Sequence, residues 1–181
     1  IEGTLALRPQ DFKEEALLEG VCYRDHPLVL ACRKGRDPAI FLSLLKALPR
    51  LPMLRSRFRS SKAPSRLVHV YFEAITQDQP LVVKELLQPG NPLVEVDVRC
   101  LAQQETGLHL ACLNQATPEM VSILLEHKAD VQCKMDGEVT CIMNAAQAGN
   151  HEVLALLLNH ARNSLEEPAF KALLNARESK G

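Results

Sequence analysis

Cysteine and histidine are the residues of this chain best suited to chemistry, since their side chains can bind metals or act as nucleophiles. The six cysteines are Cys22, Cys32, Cys100, Cys112, Cys133 and Cys141, and no two of them form a C-x-x-C pair. Cys22 with His26, and His109 with Cys112, have a helical spacing, but two ligands do not complete a four-coordinate zinc site. We therefore expect reduced thiols that pack inside an intracellular protein, with no metal and no cofactor.

The sequence patterns of enzymes are also missing. No motif places a serine or cysteine beside a histidine and an orienting acid, and no glycine-rich loop of the phosphate-binding type is present. The acidic residues are dispersed, so no pair of carboxylates is marked out for acid and base catalysis. We expect a protein that is not an enzyme.

A basic segment stands out in a chain whose net charge is −1. From Pro38 to Phe72 there is no Asp or Glu, while seven cations occur, namely Lys46, Arg50, Arg55, Arg57, Arg59, Lys62 and Arg66. Such segregated charge fits an acidic protein ligand, nucleic acid, a membrane surface, a nuclear-import signal or a solvated loop. Ser60 and Ser61 follow the arginines, as sites of basophilic kinases do.

The chain repeats itself. Residues 26–46 align with residues 106–126 at a constant offset of 80, and a further copy follows at spacings of 34 and then 33. Self-similarity at about 33 residues predicts an array of helical repeats.

Each copy reads as two short helices. Ala111 and Cys112 give the first helix a small-residue face for close packing, whereas Thr117 and Pro118 are typical of the start of a second helix. The apolar residues of the second helix recur with a period near 3.6, at Met120, Val121, Ile123, Leu124 and Leu125.

These residues resemble the ankyrin repeat family, whose pattern is matched at Thr106, Leu108, His109, Leu110, Ala111, Glu119, Val121, Leu124, Leu125, Ala129, Asp130 and Val131. The resemblance implies an all-α solenoid of about four helix-turn-helix repeats, with hydrogen bonds from His109 that tie adjacent hairpins together. In the fourth copy Asp136 and Gly137 keep the family's turn. The second copy is divergent, because Tyr71, Phe72 and Glu73 leave the register and packing of its first helix open.

The predicted boundaries describe a single domain. They are an N-terminal cap (1–25), repeat 1 (26–48), a basic insertion (49–66), a divergent repeat 2 (67–99), repeat 3 (100–134), repeat 4 (135–163) and a C-terminal cap or partial repeat 5 (164–181). The offset of 80 exceeds two repeats by about 14 residues, which we assign to the insertion or to the flanks of a gap. Ser164 with Glu167 resembles a capping box, and Pro9 to Leu18 carries apolar residues in helical spacing.

The resemblance also implies where a partner binds: at the hairpin tips and on the exposed, concave side of the first helices. The corresponding residues are Arg33, Lys34, Gln103, Glu105, Leu113, Asn114, Asp136, Val139, Gln147 and Ala148. Gln132 stands where the family has a hairpin Asn, so no modification of that position is expected.

The main hypothesis is a non-catalytic protein–protein interaction module, acting as a scaffold, inhibitor or targeting domain. Binding of nucleic acid or an acidic surface through the Arg-rich insertion (50–66) is the alternative, and a structural array inside a larger enzyme or channel is a third. No apolar run is long enough to span a bilayer, and the first residue is Ile1. We expect a monomeric fragment of a cytoplasmic or nuclear protein, whose partner the sequence does not identify.

Overall fold

The computed structural model describes residues 27–33, 37–47, 66–90, 92–100 and 103–177. The predicted N-terminal cap lies outside this part of the chain, as do Lys34 and the predicted insertion up to residue 65. Arg66, the last residue assigned to that insertion, begins a helix.

Two-helix hairpins make up the described structure. The helices are α1 (Pro27–Ala31), α2 (Pro38–Ala47), α3 (Arg66–Thr76), α4 (Pro80–Leu86), α5 (Gly107–Leu113), α6 (Pro118–Glu126), α7 (Cys141–Ala148), α8 (His151–Ser164) and α9 (Glu167–Leu174). Within these ranges no strand forms, and the only extended pairing is an isolated antiparallel bridge between Lys134 and Thr140.

The hairpins stack side by side in two layers. Helices α1, α3, α5 and α7 contact one another in sequence and form an inner layer, while α2, α4, α6 and α8 form an outer layer in the same way. Each inner helix also packs against the outer helix of its own hairpin, and α9 packs against α8. The predicted all-α solenoid is therefore confirmed.

The starts of the outer helices follow from local chemistry. Thr117 Oγ1 accepts a hydrogen bond from Met120 N at 3.4 Å, and Asn150 Oδ1 accepts one from Val153 N at 3.2 Å. Each side chain satisfies an N–H group that has no partner in the first helical turn. The C-terminal helix departs from its prediction, because Ser164 lies in the last turn of α8 and donates to His160 O. Glu166 occupies the N-cap position of α9 and makes no side-chain capping bond there.

The turn between the two helices of a hairpin sets the register of the divergent second copy. In the second, third and fourth hairpins, a backbone N–H group in this turn donates to the carbonyl of an alanine five positions earlier. The bonds run from Gln79 to Ala74, from Ala116 to Ala111 and from Asn150 to Ala145. The residue before each donor is left-handed, with φ of 51° at Asp78, 54° at Gln115 and 71° at Gly149. Ala74 is therefore the counterpart of Ala111 and Ala145, and all three are fully buried.

The extra length of the array is divided between two places. The outer helices begin at residues 38, 80, 118 and 151, so α4 starts 42 positions after α2, α6 starts 38 after α4, and α8 starts 33 after α6. The first two spacings exceed the repeat length of about 33 residues. Additional residues therefore precede α5 as well as α3.

The packing of the divergent helix α3 depends on Tyr71. Its ring is fully buried, and its hydroxyl donates to Val96 O at 2.9 Å in the loop that leads to α5. Gly107, the first residue of α5, faces this ring, and a Cβ atom there would lie 2.8 Å from both Tyr71 Cζ and Ile75 Cδ1. A large residue in one hairpin is accommodated because the next hairpin lacks a side chain at the point of contact.

Gly107→Ala should therefore destabilise the protein by about 1–3 kcal/mol, since the added methyl group overpacks the contact with Tyr71. Tyr71→Leu places the residue type of Leu28 and Leu108 at this position and opens the space. In that background we expect Gly107→Ala to cost clearly less, because only the contact with Ile75 Cδ1 remains. Urea unfolding of the two single variants and the double variant measures the difference, and an equal cost in both backgrounds would contradict the contact.

The left-handed conformation of Gln115 gives a second prediction about the stability of the protein. Gln115 has a φ of 54°, a conformation that costs a residue with a Cβ atom about 1 kcal/mol, and its counterpart is Gly149. Gln115→Gly should raise the free energy of unfolding by up to about 1 kcal/mol. The reverse change, Gly149→Gln, should lower it by a similar amount. Chemical denaturation tests both variants, and a loss of stability in Gln115→Gly would refute the strain.

Candidate partner-binding surface

His109 connects the third hairpin to the fourth. Its Nδ1 atom lies 3.4 Å from Thr106 N and 2.9 Å from Thr106 Oγ1, and its Nε2 atom lies 3.2 Å from Val139 O. Because a backbone N–H can only donate, Nδ1 accepts and the ring proton resides on Nε2, which donates to the carbonyl of Val139. The predicted link between hairpins is confirmed, and the neutral ring satisfies both of its nitrogens.

Burial makes this link sensitive to pH. It lowers the pKa of His109 below its ordinary value of 6.5, although the nearby carbonyl of Val139 acts in the opposite direction. His109 is therefore neutral near pH 7, as its acceptor role at Nδ1 requires. Protonation would put a hydrogen on Nδ1 and break the bond from Thr106 N, which can only donate.

The hairpin tips are joined through their backbones. Arg99 Nη1 donates to Gln104 O and to Lys134 O, both at 2.8 Å, and so bridges two successive tips. Asp136 N donates to Gln103 O at 3.0 Å, which adds a direct bond between the same tips. Deeper in the loops, the carboxylate of Asp97 accepts a bond from Asp130 N at 3.2 Å. The tips form a connected edge beside the inner helices.

The predicted partner-binding residues fall into three groups. Six are exposed: Arg33, Gln103, Leu113, Asn114, Asp136 and Gln147. Glu105, Val139 and Ala148 are half-buried, and Lys34 lies outside the described residues. Glu105 and Val139 also serve the fold, because their carbonyls accept bonds from Cys100 N and Met135 N, respectively. Burial raises the pKa of Glu105.

The stacked hairpins align the ends of the inner helices into one row. Two and three positions after the equivalent alanines Ala31, Ala74, Ala111 and Ala145, the described residues are Arg33, Thr76 and Gln77, Leu113 and Asn114, and Gln147 and Ala148. We call these seven residues the inner row; Lys34, which follows Arg33 in sequence, lies outside the described residues. Thr76 and Gln77 were not predicted, since only the turn bond between Gln79 and Ala74 reveals their register.

The inner row changes in chemistry along the array and holds no acidic residue. It begins with the cation Arg33 and ends with the uncharged Gln147 and Ala148. Between these ends, Leu113 exposes 37% of its surface next to the half-buried Leu110. The surface thus combines a basic end, an apolar centre and neutral polar groups.

The described cysteines behave as packing residues. Cys32, Cys112 and Cys141 are buried, and burial raises the pKa of Cys32 and of Cys141 to about 12. Burial also raises the pKa of Cys133 to about 11, so these thiols stay protonated near pH 7. The pairing of His109 with Cys112 as zinc ligands does not arise, because hydrogen bonds occupy both ring nitrogens of His109.

Within the described ranges, no group of three or more His, Cys, Asp or Glu side chains is arranged to hold a metal ion. None of the helices there is both long and apolar enough to cross a membrane.

Stacked two-helix units with a constant core and a varied row of exposed side chains define a helical-repeat solenoid. A family model described as ankyrin repeats, in three copies, matches residues 72–175, which is more than half of the chain. The chain belongs to the ankyrin repeat family, as its resemblance predicted. Comparison with curated proteins gives no match. The hairpin formed by α1 and α2 lies before the matched residues but packs against α3 and α4 as a further unit.

The hydrogen bonds of His109 predict a loss of stability in acid. Because the pKa of His109 is lower in the folded protein than in the unfolded chain, the unfolded chain binds the proton more readily below pH 6.5. The stabilisation is complete above pH 6.5 and declines as the pH falls through the folded pKa. Burial lowers the pKa of His69 as well, so His69 adds to this decline.

His109→Met, which copies Met143 of the fourth hairpin, should cost about 1–2 kcal/mol at pH 7.5 through lost hydrogen bonds. The same variant should lose less stability than the native protein between pH 7 and pH 5. Urea unfolding at several pH values measures both effects. The variant His69→Gln, measured in the same way, gives the contribution of His69. An unchanged pH dependence in His109→Met would show that His109 does not titrate with unfolding.

Proposed function

We propose that this domain is a non-catalytic module that binds a protein partner along the inner row and the adjacent hairpin tips. Ankyrin repeats are generally protein–protein interaction modules. The observation that carries the proposal is the contrast between constant and varied positions. Ala31, Ala74, Ala111 and Ala145 keep one residue type at a buried position, whereas the residues two and three places later differ in every hairpin.

The chemistry of the inner row indicates the kind of segment it accepts. An apolar side chain fits over Leu113, and a carboxylate fits near Arg33, two hairpins away. Neighbouring helices pack about 8–10 Å apart, so these places are roughly 20 Å from each other. An extended chain covers that distance in about six residues. The favoured ligand is therefore an extended peptide that carries an apolar residue and, about six positions away, an acidic one.

The wider role that we propose is that of a scaffold, inhibitor or targeting domain of a larger protein, in the cytoplasm or the nucleus. Arrays of this kind hold a partner without acting on it, and the raised pKa values of the buried thiols are consistent with that role.

The Arg-rich insertion (50–66) supports a second candidate, which is binding of nucleic acid or an acidic surface. Its six cations, with no Asp or Glu among residues 50–66, are the observation in its favour. The two candidates differ in salt response, because phosphate contacts lose affinity steeply as salt rises while an apolar contact changes little.

The double variant Leu113→Glu, Gln147→Glu should weaken binding of the protein partner at least about tenfold, because it adds charge to the apolar and neutral part of the inner row. Leu81→Glu is the matched control, since Leu81 is an exposed leucine on the outer helix α4. Quantitative pull-down from nuclease-treated lysate, followed by mass spectrometry, compares each variant with the native chain. Equal loss in the control would refute the inner row as the binding surface.

A third variant separates the two candidates by neutralising the insertion, with Gln at Arg50, Arg55, Arg57, Arg59, Lys62 and Arg66. A partner kept by this variant but lost by Leu113→Glu, Gln147→Glu supports the inner row. Loss of every partner on neutralisation, or on nuclease treatment alone, would instead assign binding to the insertion.

A further inference from the structure

A second row of side chains lies next to the inner row on the inner helices. Its members precede the four equivalent alanines by one position: Leu30, Glu73, Leu110 and Asn144. We call these four residues the floor row. Each stands three positions before the first inner-row residue of its hairpin, and residues three apart share a face of a helix. A ligand on the inner row therefore also lies over the floor row.

The floor row is open along the first three hairpins. Leu30 is 36% exposed, Glu73 and Leu110 are half-buried, and Asn144 is only 2% exposed. The open part consists of a carboxylate with a leucine on either side. Glu73 is the only charged member of the row, and it lies on the path from the first hairpin to the third.

The carboxylate of Glu73 has an open acceptor site. Its Oε1 atom accepts a hydrogen bond from Gln77 Nε2 at 3.1 Å, whereas Oε2 accepts none in the part of the chain that the structure describes. The two ion pairs of the described ranges lie elsewhere, at the tip of the fourth hairpin and within α9. No described cation therefore pairs with Glu73.

Partial burial makes this unpaired charge a recognition element. Apolar neighbours keep water away from a carboxylate, which strengthens its attraction to a cation. The influence of Glu73 extends to the first hairpin, because burial raises the pKa of Cys32 to about 12 and the charge of Glu73 adds to that rise. In the free protein, water still reaches the half-buried carboxylate. Beneath a bound ligand the carboxylate would lose that hydration.

This loss decides which ligand side chain fits over Glu73. An apolar residue would leave the carboxylate without water or a partner, and an acidic residue would repel it. Arginine and lysine have a long apolar stem that can pack on the leucines and a charged head that can donate to Oε2. A basic side chain is therefore the complement of this part of the floor row.

We propose that the peptide bound on the inner row carries an arginine or lysine that pairs with Glu73. This rests on the proposed function, which places an apolar residue over Leu113 and an acidic one near Arg33. Neighbouring helices are about 10 Å apart, a distance that an extended chain covers in about three residues. The basic residue lies midway, so the ligand has acidic, basic and apolar residues at three-residue intervals.

Selection from a phage library of random peptides on the full 181-residue chain tests this pattern. Peptides enriched by the native chain should carry Arg or Lys three residues from an apolar residue. Selection on Glu73→Lys should enrich Asp or Glu at the same place. Glu85→Lys is the matched control and should enrich the native pattern, because Glu85 is also a half-buried glutamate of the second hairpin but lies on the outer helix α4.

The affinity of a selected peptide then measures the pairing. In fluorescence anisotropy, Glu73→Lys should weaken binding at least about tenfold and Glu73→Gln by a smaller factor, whereas Glu85→Lys should leave it unchanged. A peptide whose basic residue is replaced by Glu should bind Glu73→Lys better than it binds the native chain. Urea unfolding checks that each variant is folded, and Glu73→Gln, which keeps the shape of the side chain, carries the test if Glu73→Lys is not.

The outcomes separate this inference from the proposed function. Suppose that the selected peptides lose binding to the double variant Leu113→Glu, Gln147→Glu. If they then lack a basic residue, or bind the Glu73 variants and the native chain equally, the pairing with Glu73 is overturned and the proposed function stands. Peptides that bind the double variant unchanged, or no enrichment on the native chain, would overturn the proposed function and this inference with it.

Discussion

No hairpin of this chain can bury its apolar side chains alone, and this constraint organises the rest of the structure. Successive outer helices contact one another, and Val82, Met120 and Val153 are fully buried within this stack. The inner helices meet the same demand with small residues such as Ala111. Stability therefore resides in the interfaces between neighbours, as is expected of a one-dimensional array.

Because each hairpin contacts only its neighbours, an irregular residue needs only a local adjustment. Tyr71 is far larger than the leucines at the equivalent places, Leu28 and Leu108, yet α3 joins the inner layer without a gap. The adjustment lies in the next hairpin, where Gly107 leaves room for the ring. Phe72 also occupies the place that His109 holds in the third hairpin, and the hydroxyl of Tyr71 supplies the bond to the following loop instead. Divergence in one repeat is thus matched by its neighbour.

The third and fourth hairpins were predictable from sequence, because Thr117, Pro118 and Asn150 mark helix starts and His109 stands in a recognisable motif. The register of α3 was not, since Tyr71, Phe72 and Glu73 replace that motif, and only the turn bond to Ala74 sets it. The role of Ser164 was wrong because α8 runs through the expected cap. The other residues of the inner row were named from the sequence, but Thr76 and Gln77 depended on the missing register.

The fold and the proposed binding surface use different parts of the same loops. The links between tips run through backbone carbonyls, through Arg99 and through His109, so the exposed side chains of Gln103, Leu113 and Gln147 can change without breaking them. That separation lets the inner row differ in every hairpin while the core stays constant. It also explains why the partner cannot be identified from sequence: the same stack of helices is compatible with many combinations of exposed residues, and no physical rule ties the combination to the fold.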